Sequence, residues 1–381
     1  MSRQKQTSSD IPSRSVSDST SSRSKSEKTK NNKGLKIFGV IAAVIIGLLV
    51  IAAVTLIVLM YIGQKAAVGS NKNVVLDVPS ETEVTVEKAE TDSDSNTYVY
   101  YKGKKYVYND KVTTILFAGI DKHADEQLGT FGTAGQADCI IVGALNTENG
   151  KYKLMALSRD TMVDVNILDA DGTFKGTENK QICLSYAYGD GKEKSCENLK
   201  KSVSRVLMGI PVNSYAAIDL DAIPILNDGV GGVTVNVIQD LSFRDPALTE
   251  GSRVTLYGTQ AETFVRYRDI NGDENQNNLR MDRQKEYLTN FIKQTLKLTR
   301  DDIKTPVRLY NSIDGYLVTD IDVPMITYYS SIFLKTGFSA DDNLIKIPGK
   351  TTHGEEYAEY HIDNDALFEI ILDTYYTEVT N

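Results

Sequence analysis

Cysteine and histidine are scarce in this 381-residue chain. Cys139, Cys183 and Cys196 form no CxxC or Cys/His pattern, and His123, His353 and His361 are too scattered to hold zinc. A zinc module is thereby excluded, and at most one intrachain disulfide can form. Of the three pairings, Cys183–Cys196 is the closest in sequence, and an oxidising compartment would favour it. Positive charge is also lacking over most of the chain. The net charge is −9, but Met1–Lys36 carry nine Lys/Arg and three Asp/Glu, a net of +6, which leaves −15 for the rest. So acidic a remainder excludes sequence-independent binding of nucleic acid. No internal repeat is visible.

One long apolar run stands out. Ile37–Ile62 is 26 residues without a charge, longer than the roughly 20 needed to span a bilayer and longer than the core of a cleavable signal peptide. The segment before it is rich in Ser, Lys and Arg and has almost nothing to bury, so it reads as a disordered basic tail. Nine basic residues precede the run, and only Lys65 and Lys72 follow it closely. The positive-inside rule then places the N-terminus in the cytoplasm and Gly63–Asn381 outside, as a single-pass type II protein of the cell membrane. A basic segment beside a membrane span is accounted for by topology and anionic lipid, so nucleic acid is not its partner.

Residues 63–110 read as an acidic stalk with a small hairpin, TYVYYKGKKYVYN at Thr97–Asn109. From Thr113 the pattern is of strands alternating with helices. TTILFAGI, ADCIIVGALN and KYKLMAL predict three strands, Lys192–Met208 an amphipathic helix, SYAAIDL and VTVNVI further strands, and TQAETFVRY and Asp282–Leu298 helices. Together these imply an α/β fold, an α-β-α sandwich around a central mixed sheet preceded by one transmembrane helix, with residues 111–381 as one domain.

The charged residues of interest fall at element ends, where such folds build sites. Asp121 follows the first strand, Asp138 opens the second, and Arg159 and Asp160 end the third. The stretch Phe264–Gln284 adds Arg266, Arg268, Arg280 and Arg283, with a polar segment between the pairs that has no apolar periodicity and reads as a loop. Arginine presents a fixed fork of donors matched to phosphate oxygens. Carboxylates beside several arginines suit a hard divalent cation, Mg²⁺ or Mn²⁺, and a pyrophosphate or phosphoryl group, with a spare carboxylate to accept a proton. For each residue alone the plainer alternative is a turn residue or surface ion pair. Arg266 and Arg268 lie two apart, so a regular helix cannot aim both at one ligand; fraying at Tyr267 would resolve this.

GIDKH (119–123), ADCII (137–141), ALSRDTMVDV (156–165), LSYAYGDG (184–191), GIPVNSYAAIDL (209–220), VGGVTV (230–235) and FVRYRD…LRMDRQ resemble the LytR-CpsA-Psr family of wall and capsule polymer ligases. The resemblance implies transfer of a glycopolymer, of teichoic acid or capsule type, from a polyprenyl-pyrophosphate carrier to a peptidoglycan hydroxyl. Asp121 and Asp138 would be the Mg²⁺-linked carboxylates. Arg159, Arg266, Arg268 and Arg280 would grip the pyrophosphate, with Arg283 and Gln284 closing the site and Asp160 and Lys122 beside the substrate. The polyprenyl chain would need an apolar groove between sheet and helices. Two other functions use the same residues: a non-catalytic or regulatory surface protein that binds polyprenyl phosphates, and a polyprenyl-pyrophosphate phosphatase. Ala137 and Cys139, which flank Asp138 in place of the family's usual Ser and Thr, favour the first of these.

Overall fold

The computed structural model describes residues 54–67, 74–79, 84–88, 97–123, 134–169, 172–269, 276–339, 343–354 and 357–380. The basic tail, the apolar run up to residue 53, parts of the stalk, and residues 124–133 and 270–275 lie outside the described residues. The chain divides into two units, Met1–Leu56 and Ile57–Asn381. Among the described residues no helix is long and apolar enough to cross a membrane.

Residues 54–67 are helical (α1). A four-stranded antiparallel sheet follows, from β1 (Thr85–Lys88), β2 (Thr97–Tyr101), β3 (Lys104–Tyr108) and the distant β16 (Tyr376–Glu378), in the order β1-β2-β3-β16. The β2–β3 turn carries Gly103 at φ 74, with no side chain to clash.

The central sheet has six strands: β4 (Val112–Ile120), β5 (Ala137–Asn146), β6 (Tyr152–Leu157), β9 (Ser214–Ile218), β12 (Leu317–Thr319) and β13 (Leu344–Lys346). Its order is β12-β9-β4-β5-β6-β13. The β9–β4 and β6–β13 pairs are parallel and the other three antiparallel, so the sheet is mixed. Period-two alternation sends side chains to opposite faces. Leu116, Ala118, Ile120, Ile140, Val142 and Met155 join one buried cluster, with Leu199 and Val203 of α3 (Glu193–Val206) and Phe368 and Ile371 of α9 (Asn364–Tyr375). Ile115, Leu145, Tyr152 and Leu154 join a second, with Met325, Tyr328 and Ile332 of α8 (Val323–Thr336). Asp322 and Asp363 cap α8 and α9, their carboxylates accepting from the amides of Met325 and Ala366.

A third cluster lies under α4 (Ala222–Gly229), the β10–β11 hairpin (Val233–Asn236 and Arg253–Leu256) and α5 (Thr259–Arg266), with α7 (Thr305–Ser312) beside it. The glycines of VGGV serve this unit. Gly232 has φ 87, and a Cβ there would meet Leu256 O at 3.0 Å. The long helix α6 (Gln276–Asp301) borders both the second and third clusters: Leu288 and Ile292 meet one, Tyr287, Phe291 and Leu298 the other. It starts earlier than the sequence suggests. The polar Asn277 and Asn278 break the apolar stripe but lie inside the first turn, so the helix begins at Gln276 and includes Arg280, instead of opening at Asp282. Two hairpins, β7–β8 (Met162–Leu168 and Phe174–Gln181) and β14–β15 (Gly349–His353 and Ala358–Ile362), and the single-turn α2 (Leu184–Ala187) complete the fold.

Candidate active site

The site forms at the end of the central sheet where β4 and β6 finish and β5 begins. The amide of Asp121 donates to Gln136 O (2.9 Å), which ties the end of β4 to the start of β5. After β6 the chain turns sharply at Ser158–Thr161, where the Thr161 amide and hydroxyl both donate to Ser158 O (3.1 and 2.8 Å). This turn presents Arg159 across to β5. One Arg159 Nη donates to Asp138 Oδ1, and the other to Gln136 Oε1 and to Cys183 Sγ, the last at 3.2 Å. From α6, Arg280 Nη1 donates to Asp138 Oδ2 at 2.9 Å. A single carboxylate thus holds two guanidinium groups, both almost wholly buried.

Asp160 lies beneath them. Its oxygens accept from Gln181 Nε2 and Asn277 Nδ2, each at 2.9 Å. Burial raises its carboxyl pKa above the ordinary value, against the opposing pull of Arg159, Arg280 and Arg268. Burial is also the first cause that lowers the Arg280 pKa; Asp138 opposes it, while Arg159 and Arg268 add to it. Arg268 is therefore near enough to act on both groups through its charge. The Nε atoms of Arg159 and Arg280 are buried and have no hydrogen-bond partner among the described residues.

Arg266 joins from α5, with Nη2 donating to Asp121 Oδ1 at 2.7 Å in the more exposed part of the site. The helix ends at Arg266, and Tyr267 is extended at φ −50, ψ 133. That break frees Arg268 from the helical 100° step, so the two arginines need not point apart. A small, partly open pocket lies beside the cluster. Asp138, Arg159, Gln284 and Lys346 border it, and its walls include Ile140, Leu157, Met281, Leu288, Leu344 and Ile345.

Residues 73–372 match the sequence pattern of the LytR_cpsA_psr family. The chain belongs to the LytR_cpsA_psr family. It is 25% identical over 294 residues to a polyisoprenyl-teichoic acid–peptidoglycan teichoic acid transferase, TagU of Enterococcus faecalis, covering 76% of this chain and 80% of the relative. Against TagV of Bacillus subtilis it is 30% identical over 191 residues, 48% of this chain and 43% of TagV. The crystal structure of B. subtilis TagV has the same fold, with a TM-score of 0.53 at 20% identity, over 69% of this chain and 96% of that one.

In this LytR_cpsA_psr protein the structure separates residues that the sequence had grouped. Asp138, Arg159, Asp160 and Arg280 share one network, and Asp121 with Arg266 forms a neighbouring pair. Arg283 does not reach either. It is 1% exposed, and its guanidinium donates to the carbonyls of Phe264 and Tyr267 and to Gln239 Oε1. Gln284 donates to Val265 O at 3.3 Å and borders the cavity. Lys122 turns towards Gly191 O (3.5 Å) rather than entering the arginine cluster, and its charge opposes the burial that raises the Asp219 pKa.

The expected Cys183–Cys196 disulfide is absent, and all three cysteines are free thiols. Cys183 is committed to Arg159 instead, while Cys196 is buried within α3. Gln136, Gln181, Asn277 and Lys346 were not singled out from sequence. The three amides are uncharged, and Asn277 falls in the polar segment that reads as a loop. Lys346 lies in a short strand whose pairing with β6 brings it to the cavity.

Proposed function

We propose that this chain is a membrane-anchored phosphotransferase that moves a teichoic-acid-type glycopolymer from polyprenyl pyrophosphate to a peptidoglycan hydroxyl. The observation that carries the reading is the pair of buried guanidinium groups converging on Asp138 at the mouth of an apolar cavity. Buried cations need an anionic counterpart, and a diphosphate offers more charge and more acceptor oxygens than one carboxylate. The cavity supplies the apolar surface that a prenyl chain would cover. The transferase activity for which TagU and TagV are named agrees with this assignment.

The reaction is a displacement at phosphorus. The acceptor oxygen forms a bond to the phosphorus that bears the polymer, the bridging P–O bond breaks, and polyprenyl phosphate leaves. Arg159 and Arg280 stabilise the charge that gathers on the non-bridging oxygens, and Arg266 and Arg268 hold the exposed side of the group. The hydroxyl proton passes to a carboxylate.

Asp121 and Asp138 would hold Mg²⁺ or Mn²⁺, which when bound neutralises phosphoryl charge. Their placement at the ends of adjacent strands fits a cation that takes one or two carboxylates and completes its shell with substrate oxygens. Among the described residues no group of three or more metal-ligating side chains exists to bind it alone.

Ile37–Ile62 would supply the anchor, with the catalytic unit outside the cytoplasmic membrane. The apolar residues Val54, Ile57, Val58 and Ile62 at its end are exposed on helix α1, as lipid-facing residues would be. In the reading as a transferase residues 111–381 form the catalytic domain.

The test is transfer by the full-length chain in detergent, with Mg²⁺, a short-chain polyprenyl-pyrophosphate donor and peptidoglycan oligosaccharides. Arg159→Ala and Arg266→Ala should remove phosphodiester product. Wild-type rates in both variants would refute the proposal, and release of phosphate without transfer would identify a phosphatase instead.

A further inference from the structure

A pyrophosphate in this site has two different ends, and the protein offers a different surface for each. On one stripe of α6, Met281, Gln284, Lys285 and Leu288 border the apolar cavity. On another, Arg283, Tyr287 and Phe291 face α5 and the β10–β11 unit. Beyond that second stripe lies an aromatic group that the chemistry above leaves unused.

Phe243 meets Tyr267 edge to face, with ring centroids 5.2 Å apart at 67°. The Arg244 guanidinium lies over both rings, 5.9 Å from Phe243 and 5.5 Å from Tyr267. Arg283 lies 5.8 Å from Tyr267. An aromatic pair that served only to cover a core would itself be covered, yet Phe243 is 60% exposed. Nor is it carried on a loose loop. Leu241 and Leu248, both 0% exposed, anchor the turn, and the Leu241 amide donates to Leu248 O at 2.9 Å. Asp245 Oδ2 accepts from Gln260 Nε2 of α5 at 2.9 Å, and Gln239 holds Arg283. The ring is therefore presented to solvent from a rigid base. Tyr267 sits in the chain between Arg266 and Arg268, the exposed arm of the clamp.

We infer that Phe243, Tyr267 and Arg244 form a binding platform for the sugar ring that directly follows the pyrophosphate. The inference rests on the phosphotransferase reading above. A pyranose has an apolar C–H face that stacks on an aromatic ring and a rim of hydroxyls that accept from a guanidinium. The apolar pocket and the aromatic platform flank different stripes of α6, as a prenyl chain and a sugar at the two ends of one diphosphate would require. A membrane-facing patch would instead offer aliphatic side chains around the ring, whereas here Arg244 occupies that place.

The experiment compares two probes on the full-length chain in detergent: a short-chain polyprenyl pyrophosphate, and the same compound bearing one N-acetylhexosamine. Phe243→Ala and Arg244→Ala should each weaken the sugar-bearing probe by about fivefold and leave the sugar-free probe unchanged, while Phe243→Trp restores binding. Equal weakening of both probes would assign Phe243 a structural role and overturn the platform. No weakening of either would also overturn it, as would lost binding to anionic lipid vesicles with unchanged sugar discrimination. If the wild-type chain bound neither probe, the phosphotransferase reading itself would fall, an outcome distinct from these.

Discussion

Arg280 and Arg283 stand three residues apart on one helix, and their guanidinium groups serve different ends. Arg280 holds Asp138 in the site, whereas Arg283 holds the Phe264 carbonyl of α5 and the Tyr267 carbonyl. Burial, and then repulsion by Arg280, push the Arg283 pKa down to about 10. Arg283→Ala leaves three acceptors without a donor in a buried place. A loss of about 3 kcal/mol of stability is expected, read as a lowered Tm, with transfer falling because Arg266 and Arg268 lose their support. Arg280→Ala should abolish transfer as well. The two are distinguished by pyrophosphate affinity near the denaturation midpoint and well below it: only the Arg283 variant should recover binding on cooling.

Asp138 competes with any anion for its two arginines. Asp138→Asn removes that competitor, so inorganic pyrophosphate in the presence of EDTA should bind more tightly than to wild type. Transfer should be lost. The same change leaves two buried cations without their counterion, which costs stability by about 3 kcal/mol in the absence of ligand. Calorimetric titration checks the first effect, and unchanged or weaker pyrophosphate binding would show that Asp138 does not oppose the ligand.

Cys183 and Cys196 are buried and Cys139 is partly so, and desolvation raises the pKa of Cys139 and Cys183 to about 11 and that of Cys196 to about 12. A disulfide reagent at neutral pH should therefore find almost no reactive thiol in the native chain and three after denaturation without reductant. Finding one thiol instead of three would restore a disulfide.

His123 Nδ1 donates to Asp221 Oδ1 at 2.8 Å, and this hydrogen bond raises the imidazole pKa. A raised histidine pKa contributes stability that is complete below the unfolded value and disappears as pH rises through the folded one. Both side chains are about one-third exposed, so solvent screening limits the effect to under about 1 kcal/mol. The Tm difference between wild type and His123→Gln should be larger at about pH 5.5 than at about pH 8.5. A difference that grew with pH would contradict the pairing.

The sequence made the strand-end residues legible because apolar runs mark strands and charges that stop them mark their ends. Asp138, Arg159 and Asp160 came together as that pattern implies. The start of α6 was hidden, because Asn277 and Asn278 carry no helical signal and their value lies in tertiary hydrogen bonds to Asp160, Ser158 and Lys346. The inward turn of Arg283 was hidden for a related reason: charge alone does not reveal whether a guanidinium meets a ligand or a row of carbonyls. The mixed sheet was predictable only as a class, since the parallel pairing of β4 with β9 depends on what the intervening chain covers.

The pairing of β3 with β16 joins Lys104 to Glu378 across 274 residues. A chain made from its N-terminus presents β1–β3 long before that partner exists. During this interval the alternating Tyr and Val residues of β3 have an open edge, a template for pairing with other chains. Closure of the small sheet is consequently a late event with a large loop to close. Removal of Tyr376–Glu378 should thus matter less to the chemistry than to the yield of chains that escape aggregation.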